Sequence, residues 1–179
     1  MEESTKKKSN WVKEVREWVV SLGVAVVVAL LFQNYAYAQT EVYNVSMQNT
    51  LVAGQRLIED KVTYRFNDPA QGDIVIINGP EHEGRIVKRV IALPGQVIDI
   101  REGNVFIDGA ELHETYSKGE TYSGTVEVPY TVPADHVFVL GDNRENSLDS
   151  RVFGPVAIDS VEGKAIFRIW PIGKFGKLE

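Results

Sequence analysis

Residues 84–96 read GRIVKRVIALPGQ, and this stretch decides the fold class of the chain. The apolar part is rich in β-branched residues and ends at Pro94-Gly95, a pair typical of tight turns. Lys88 stands in the middle, with Ile86 and Val90 two positions away on either side. Because residues two apart on a strand face the same side, the run predicts a strand that carries an ammonium group among aliphatic side chains.

Similar short runs continue on both sides of this stretch, separated by turn residues such as Glu102-Gly103-Asn104 and Asp108-Gly109. The runs cover residues 56–58, 74–77, 86–93, 97–100, 105–107, 136–140 and 165–170. This spacing predicts a mainly β, largely antiparallel fold. The segment 111–132 is polar and carries the weakest core signal, so we predict a surface excursion there.

The N-terminal part of the chain has a different character. No charge occurs between Glu17 and Glu41, and residues 18–32 (WVVSLGVAVVVALLF) are almost wholly aliphatic. As a helix, residues 18–40 would extend about 34 Å, against a hydrocarbon core of roughly 30 Å. We therefore predict a segment 1–17, one transmembrane helix over 18–40, and an extracytoplasmic β domain over 41–179.

The orientation of this span follows from the basic residues that precede it, which are Lys6, Lys7, Lys8, Lys13 and Arg16. Positive flanks face the cytoplasm, so we predict a single-pass protein of the cell membrane with a cytoplasmic N-terminus and the bilayer as a partner. One alternative is a buried core helix. Another is an export signal cut after Ala38, because Ala36-Tyr37-Ala38 has the small residues of a cleavage site.

Composition excludes several classes of function. Nineteen basic and 25 acidic residues give a net charge of −6, so nucleic acid is not a predicted partner. The chain has no cysteine, which excludes disulfides, thiolate zinc sites and cysteine nucleophiles. No spaced set of histidine and carboxylate ligands is evident, so we predict no metal and no cofactor.

Two more segments place unusual polar residues beside apolar runs. Residues 42–51 (VYNVSMQNTL) carry Ser46, and residues 141–151 (GDNRENSLDSR) follow the run 136–140. Taken singly, each has a plain structural reading. Ser46 is an ordinary strand-end serine, Lys88 can extend its charge to water along its own stem, and the polar loop is a turn whose Asp142, Asn143 and Asn146 bond their own backbone.

The three segments together are far more specific. Ser-Met-x-x-Thr-Leu, Lys-Arg-Val-Ile-x-Leu-Pro-Gly and Gly-Asp-Asn-Arg-x-Asn-Ser-x-Asp-Ser-Arg stand in this order behind one apolar N-terminal segment. Completed by Phe153-Gly154-Pro155-Val156, this pattern resembles the bacterial type I signal peptidases over nearly the whole chain. The resemblance implies an antiparallel β domain of the signal-peptidase type, preceded by one transmembrane helix. It also implies cleavage of signal peptides from exported preproteins after Ala-x-Ala.

The resemblance also implies roles for individual residues. Ser46 matches the nucleophile and Lys88 the general base, while Ser147 matches the serine that orients the lysine. The residues implied to support the site are Asp149 and Arg151, as an ion pair, together with Asp142 and Arg144. Asn44 stands where the family often has a serine that donates to the oxyanion, and its amide could serve beside the Ser46 N–H. Three departures from the family pattern, Asn49, Ala92 and Gln96, leave the dyad untouched.

The chemistry of a serine and a lysine sets one condition on the site. A serine hydroxyl becomes a strong nucleophile when a base takes its proton, and lysine does so only when neutral. Lowering the lysine pKa from about 10.4 to about 7–8 requires roughly 3 to 5 kcal/mol, which burial can supply. A carboxylate beside Lys88 would oppose this, so we pair Asp149 with Arg151.

Other functions compete with this interpretation. A Ser-His-Asp hydrolase could use His82, His113 or His136, but no Gly-x-Ser-x-Gly elbow occurs and histidines in polar loops are usually solvated. A self-cleaving repressor also uses a Ser-Lys dyad, but with a DNA-binding head in place of the membrane span. A tethered β domain that binds exported peptides without cutting them is the non-enzymatic alternative. We also consider that the protein clips itself, or a second copy in trans, after Ala38.

Overall fold

The computed structural model describes residues 2–79 and 84–178, and the side chains of residues 2–10 and 31–34 lie outside this description. Two compact units divide the chain, Met1–Ala36 and Tyr37–Glu179. The division falls four residues before the boundary at residue 41 that the sequence predicts. The difference arises because residues 37–40, which we assigned to the membrane span, pair with another strand instead of continuing the helix.

The first unit is one long helix, α1 (Glu2–Ala36). All its side chains from residue 11 to residue 30 are exposed, which disagrees with the alternative of a buried core helix. The predicted span 18–40 includes residues 31–34, whose side chains lie outside the described part of the chain. Within the described residues, no helix meets the length and hydropathy required to cross a membrane.

The regular secondary structure of the second unit is mainly strands. They are β1 (Tyr37–Glu41), β2 (Arg56–Asp60), β3 (Ile74–Asn78), β4 (Arg85–Ala92), β5 (Val97–Arg101), β6 (Asn104–Ile107), β7 (Ala110–Glu111), β8 (Tyr130–Thr131), β9 (His136–Leu140), β10 (Val156–Ala157), β11 (Val161–Trp170) and β12 (Gly176–Lys177). One short helix, α2 (Ser150–Phe153), lies between β9 and β10. Each of the seven apolar runs named above falls in a strand.

The strands form two antiparallel sheets. The larger has the order β1-β2-β11-β3-β4-β9-β10, with β12 also paired to β11, and the smaller has the order β7-β6-β5-β8. The mainly antiparallel β prediction is therefore confirmed. The hairpin of β5 and β6 shows why the turn signals worked: Glu102 and Gly103 have φ of 52° and 79°, as a two-residue turn that follows the twist of its strands requires.

Apolar side chains from both sheets form the core, and the segment 111–132 joins it. Val132 and Thr121 are buried, and Leu112 and Tyr116 pack against the core cluster that contains Phe138. Most of the segment nevertheless lies at the surface, as the sequence predicts, because Thr121 and Val132 are its only buried residues. Its polar composition did not reveal that several of its polar groups bond to the loop after β9.

The position of Ala38 bears on the two cleavage hypotheses. Ala38 lies in β1 and pairs with Glu59 of β2. A cut after Ala38 would remove two of the five residues of β1 from the sheet. Cleavage at this bond would thus require β1 to leave β2 first.

Candidate active site

Ser46 lies in the turn that follows β1. Met47 and Leu51 on the same turn are fully buried and belong to the core cluster that also contains Val42 and Leu57. A backbone hydrogen bond closes the turn between these two buried residues: the Leu51 N–H donates to the Met47 carbonyl at 2.7 Å. These anchors fix a turn in which Ser46 is 4% exposed.

Asn44 contacts Ser46 directly. The Ser46 hydroxyl donates to Asn44 Oδ1 at 2.8 Å, and the Ser46 N–H donates to the same oxygen at 3.3 Å. We expected the Asn44 amide to act as a donor to an oxyanion, whereas in this structure its oxygen is an acceptor. The side chain thus holds both the hydroxyl and the N–H of Ser46.

Lys88 occupies the middle of β4, where it pairs with Val75 of β3. Its neighbours on the same face, Ile86 and Val90, belong to an aliphatic cluster with Val75 and Val139. The whole residue is only 2% exposed. The alternative in which Lys88 extends its charge to water is therefore wrong, and the side chain is buried among aliphatic groups.

The loop after β9 brings Lys88 and Ser46 into one region. Arg89 pairs with Leu140, so Lys88 and Gly141 take the next position of the same antiparallel register. Gly141 is tightly enclosed: a Cβ there would lie 2.2 Å from Ser147 Oγ and 2.6 Å from the Ser46 carbonyl oxygen. Gly141 therefore has room for no side chain larger than a hydrogen atom between its Cα and the neighbouring atoms of Ser147 and Ser46.

Asp142 connects all three sequence segments of the predicted site. Its carboxylate receives two hydrogen bonds from Arg89, both of 2.9 Å, and a third from the Thr50 hydroxyl at 2.5 Å. Arg89 follows the predicted base, and Thr50 belongs to the turn of Ser46. This buried pair accordingly fixes the loop to β4 and to the nucleophile turn at once.

Asp149 and Arg151 form the ion pair implied by the resemblance. Arg151 donates to both carboxylate oxygens at 2.8 Å, and the Gly141 N–H donates to one of them at 3.0 Å. Burial raises the pKa of Asp149, but the hydrogen bonds and charge of Arg151 and the bond from Gly141 hold that pKa below its usual value. Asp149 is therefore an anion that orients Gly141.

Ser147 lies beside these groups. Its Oγ is buried and makes no hydrogen bond of ordinary geometry within the described residues, although its proximity to Asp149 helps to lower the pKa of that carboxyl. The Ser147 hydroxyl lies against Gly141, and the Ser46 carbonyl oxygen lies against the same glycine. The role of Ser147 in orienting Lys88 stays a prediction of the resemblance.

Arg144 has partners that the sequence did not indicate. It donates to both carboxylate oxygens of Glu114, to the Thr121 hydroxyl at 2.7 Å and to the Gly141 carbonyl at 3.0 Å. Glu114 and Thr121 belong to the segment 111–132. Arg144 therefore joins that segment to the loop of the candidate site.

The same segment supports the loop through its backbone. The Lys118 N–H donates to the Asp142 carbonyl at 2.7 Å, and the Arg144 N–H donates to the Lys118 carbonyl at 2.9 Å. Tyr116 places its ring 3.9 Å from the guanidinium carbon of Arg89. Sequence reasoning missed this support, since Lys118 lies 24 residues before Asp142 along the chain.

Asn143, like the support from the segment 111–132, was not assigned to the site from the sequence. Its N–H donates to the Ser46 carbonyl at 2.9 Å, and its Nδ2 donates to the Val45 carbonyl at 3.1 Å. In the plain structural alternative for this loop, the Asn143 side chain would bond its own turn. Its place between Asp142 and Arg144 in the polar run was the only available signal.

A groove of about 230 Å³ lies beside Ser46, since Asn44, which bonds to Ser46, is part of its lining. The rest of the lining comes from residues 39–43, which include the last three residues of β1, and from Ile76, Arg85 and Val87. β1 is an edge strand of the larger sheet, and residues 85–88 of β4 pair with β3 alone within the described part of the chain. Two strand edges without a neighbour therefore border one groove.

The histidines do not form a triad with Ser46 in the described part of the chain. His113 is exposed, and His136 is half-buried with its Nδ1 2.9 Å from the Ala134 carbonyl oxygen. His82 lies outside the described residues. The alternative of a Ser-His-Asp hydrolase has no support from the two histidines that are described.

Comparison with known proteins identifies the family of the chain. Residues 15–170 match the family described as Signal peptidase, peptidase S26. A Signal peptidase I of Leptolyngbya laminosa is 36% identical over 172 residues, which cover 90% of this chain and 83% of that protein. Signal peptidase I P of Bacillus subtilis subsp. natto is 34% identical over 181 residues, which cover 96% of this chain and 95% of that protein.

A solved structure is also similar. It is the crystal structure of a signal peptidase I from Enterococcus faecalis, whose sequence is 34% identical to this chain. The match covers 55% of this chain and 97% of that chain, with a TM-score of 0.48. On the sequence matches alone, the protein is an enzyme of the serine peptidase class. The chain belongs to the signal peptidase family, peptidase S26.

Proposed function

We propose that this protein is a membrane-anchored serine endopeptidase that removes signal peptides from exported preproteins, with Ser46 as nucleophile and a neutral Lys88 as general base. One observation carries the proposal. Lys88 is almost fully buried among aliphatic side chains, one strand position from a loop whose backbone touches both Ser46 and Ser147. Burial of this kind disfavours the ammonium form and favours the neutral amine that the reaction needs.

The proposed reaction runs in two halves. Lys88 Nζ takes the proton of the Ser46 hydroxyl as Oγ attacks the carbonyl carbon of the residue before the cut, and the resulting ammonium then protonates the leaving amine. In the second half, Lys88 takes a proton from water, the resulting hydroxide attacks the ester carbon, and the proton returns to Ser46 Oγ. The products are the cleaved signal peptide with its new carboxylate and the mature protein with its new amine.

The surrounding residues have supporting roles in this proposal. The Ser46 N–H and the Asn44 amide nitrogen are the donors to the oxyanion once Asn44 Oδ1 has released the Ser46 N–H and hydroxyl, from which it accepts in this structure, and Ser147 orients Lys88. Asp149, held by Arg151, fixes the Gly141 backbone through its 3.0 Å bond. Because its charge is neutralised by Arg151, Asp149 does not stabilise an ammonium on Lys88 as an unpaired carboxylate would.

The groove supports the proposed substrate. An extended peptide between β1 and residues 85–88 would bond to both unpaired strand edges and would present alternate side chains to the same wall. Ile76, Val42 and Val87 are the aliphatic residues of the groove lining. We expect small side chains at positions one and three before the cut to pack against these three residues, in agreement with an Ala-x-Ala preference.

Anchoring completes the proposal. The aliphatic residues of α1 that are described are exposed, and a surface of this kind is stable in a bilayer. Basic residues before the apolar run place the N-terminus in the cytoplasm and the catalytic unit outside. Anchoring also raises the effective concentration of the enzyme toward preproteins that are themselves held in the membrane.

The experiment that tests the proposal is the cleavage rate as a function of pH in detergent, with a peptide that has alanine at both selective positions. The wild-type rate should rise with pH as Lys88 loses its proton, and Ser46→Ala and Lys88→Met should abolish cleavage. Binding of a preprotein without cleavage by the wild type would favour the tethered peptide-binding domain. Full activity of the Ser46→Ala variant would refute the assigned nucleophile.

A further inference from the structure

Asn143 holds two consecutive carbonyl groups on either side of the Ser46 Cα. Its N–H bonds to the Ser46 carbonyl at 2.9 Å and its Nδ2 to the Val45 carbonyl at 3.1 Å. These carbonyls belong to the two peptide planes that meet at the Ser46 Cα. Because a peptide is planar, fixing one atom group of each plane restricts the φ and ψ of Ser46 and therefore the direction of its side chain.

The bond to Val45 has a second effect. The Val45 carbonyl and the Ser46 N–H are the two polar groups of one trans peptide, so they point in opposite directions. When Asn143 Nδ2 fixes the carbonyl, the direction of the N–H is fixed as well. That N–H is one of the proposed donors to the oxyanion, whose value in catalysis depends on being aimed before the reaction begins.

Asn143 is itself held rigidly from several sides. The residue is only 1% exposed. Asp142 before it is bonded to Arg89 and Thr50, and the backbones of Asp142 and Arg144 both bond to Lys118. A side chain on such a support can position the residues it touches, whereas a side chain on a mobile loop cannot.

We propose that Asn143 is a positioning residue that fixes both the Ser46 hydroxyl and the direction of the Ser46 N–H for catalysis. This inference rests on the proposed function, since it assigns Asn143 a role toward the proposed nucleophile. It adds a residue to the site that acts without touching the substrate.

The test uses the full chain in detergent with the variants Asn143→Asp and Asn143→Ala. The aspartate keeps the size of the side chain but removes the Nδ2 donor, and the alanine leaves only the backbone bond to the Ser46 carbonyl. Each variant should lower kcat by about 10- to 100-fold. The loss is smaller than for removing an oxyanion donor, because the donor is still present but points in a less favourable direction. KM should change less than about twofold, because ground-state binding in the groove is untouched.

A second measurement separates positioning from a structural role. A peptide that ends in an aldehyde binds by forming a bond from Ser46 Oγ to its carbonyl carbon, while the carbonyl oxygen takes up the electron pair in the oxyanion position. Its affinity should fall in the Asn143 variants by the same factor as kcat/KM. Binding of an uncleavable peptide that lacks the aldehyde should stay as in the wild type.

Asn146→Asp is the matched control, because Asn146 is an exposed asparagine of the same loop and should keep wild-type kinetics. Wild-type kcat in the Asn143 variants, or aldehyde affinity that does not follow kcat/KM, would overturn the inference. Failure of both variants to fold would also overturn it in favour of a purely structural role. If Ser46→Ala still cleaves, the proposed function has failed, which is distinguishable because that result does not involve Asn143.

Discussion

Gly141 and Ser147 are in such close contact that a methyl group on the Gly141 Cα would lie 2.2 Å from Ser147 Oγ. The same methyl group would meet the Ser46 carbonyl oxygen at 2.6 Å. Neither contact is sterically possible, so any larger residue at this position must move the loop, the nucleophile turn or both. The absence of a side chain at Gly141 is thus a condition for the geometry of the candidate site.

Gly141→Ala should therefore lower kcat on the order of 100-fold, since displacing a reacting group by about 1 Å costs about that factor. The variant should remain folded, with a loss of about 1–3 kcal/mol in the free energy of unfolding from overpacking. Steady-state cleavage and thermal unfolding of the same preparation measure the two effects. Gly173→Ala is the control, because a Cβ there meets nothing within 4 Å. Unchanged kcat in Gly141→Ala would contradict the close packing.

Lys88→Arg should lose activity by a factor on the order of 1,000 or more even though it retains a positive charge. A guanidinium does not lose its proton at any working pH and so cannot accept the Ser46 proton. The measurement is single-turnover cleavage of a model preprotein between pH 6 and pH 10. Lys177→Arg, at an exposed position on β12, should behave as the wild type. An active Lys88→Arg enzyme would show that Lys88 contributes charge and not base catalysis.

The depressed pKa of Asp149 predicts how stability depends on pH. Its folded pKa lies below the unfolded value of about 3.9, so the stabilisation is complete above that value and is lost as pH falls through the folded pKa. Asp149→Asn leaves Arg151 without its carboxylate and should cost about 3 kcal/mol at pH 7, and the cost should shrink below about pH 4.

Urea unfolding of wild type and variant at pH 7, 4 and 3 measures this dependence. Asp68→Asn removes an exposed carboxylate and should leave the pH dependence of the wild type intact. An equal loss of stability in Asp149→Asn at every pH would show that the ionised carboxylate is not what stabilises the loop.

The apolar wall of the groove predicts a change in substrate preference. Val87→Ala should raise, by about tenfold, the ratio of kcat/KM for a peptide with valine at a selective position to kcat/KM for the same peptide with alanine there. The reason is that each methylene group in an apolar pocket is worth about 1–3 kcal/mol. Competition between the two peptides in one reaction measures the ratio directly. Val52→Ala removes the same atoms from an exposed valine that does not line the groove, so its ratio should equal that of the wild type. The same ratio in both variants would place the selective pocket elsewhere.

The sequence alone predicted most of the strands and the residue types of the candidate site. Alternation of apolar residues around Lys88 indicates a strand because burial on each face depends on residues two apart, which is a local property of the chain. The turn at Glu102-Gly103 is similarly local. The aliphatic run before residue 32 predicted a helix for the same reason, and α1 covers it.

Local patterns also misled us where the polar groups have distant partners. The segment 111–132 looks solvated, yet Glu114 pairs with Arg144 thirty residues away and Lys118 bonds to the loop after β9. A sequence shows that a carboxylate or amide is present, but not what it contacts. That Asn143 would bond to Val45 and not to its own turn could not be predicted for this reason.

What the sequence by itself determined is therefore the set of strands and the polar residues that interrupt their apolar pattern. What the tertiary structure decided is which of these residues meet: Asp142 with Arg89, Gly141 with Ser46, and Asn143 with the carbonyls beside Ser46. The physical reason is that strand formation depends on neighbours along the chain. Contacts across the sheet depend on a register that residues 50 to 100 positions apart set together.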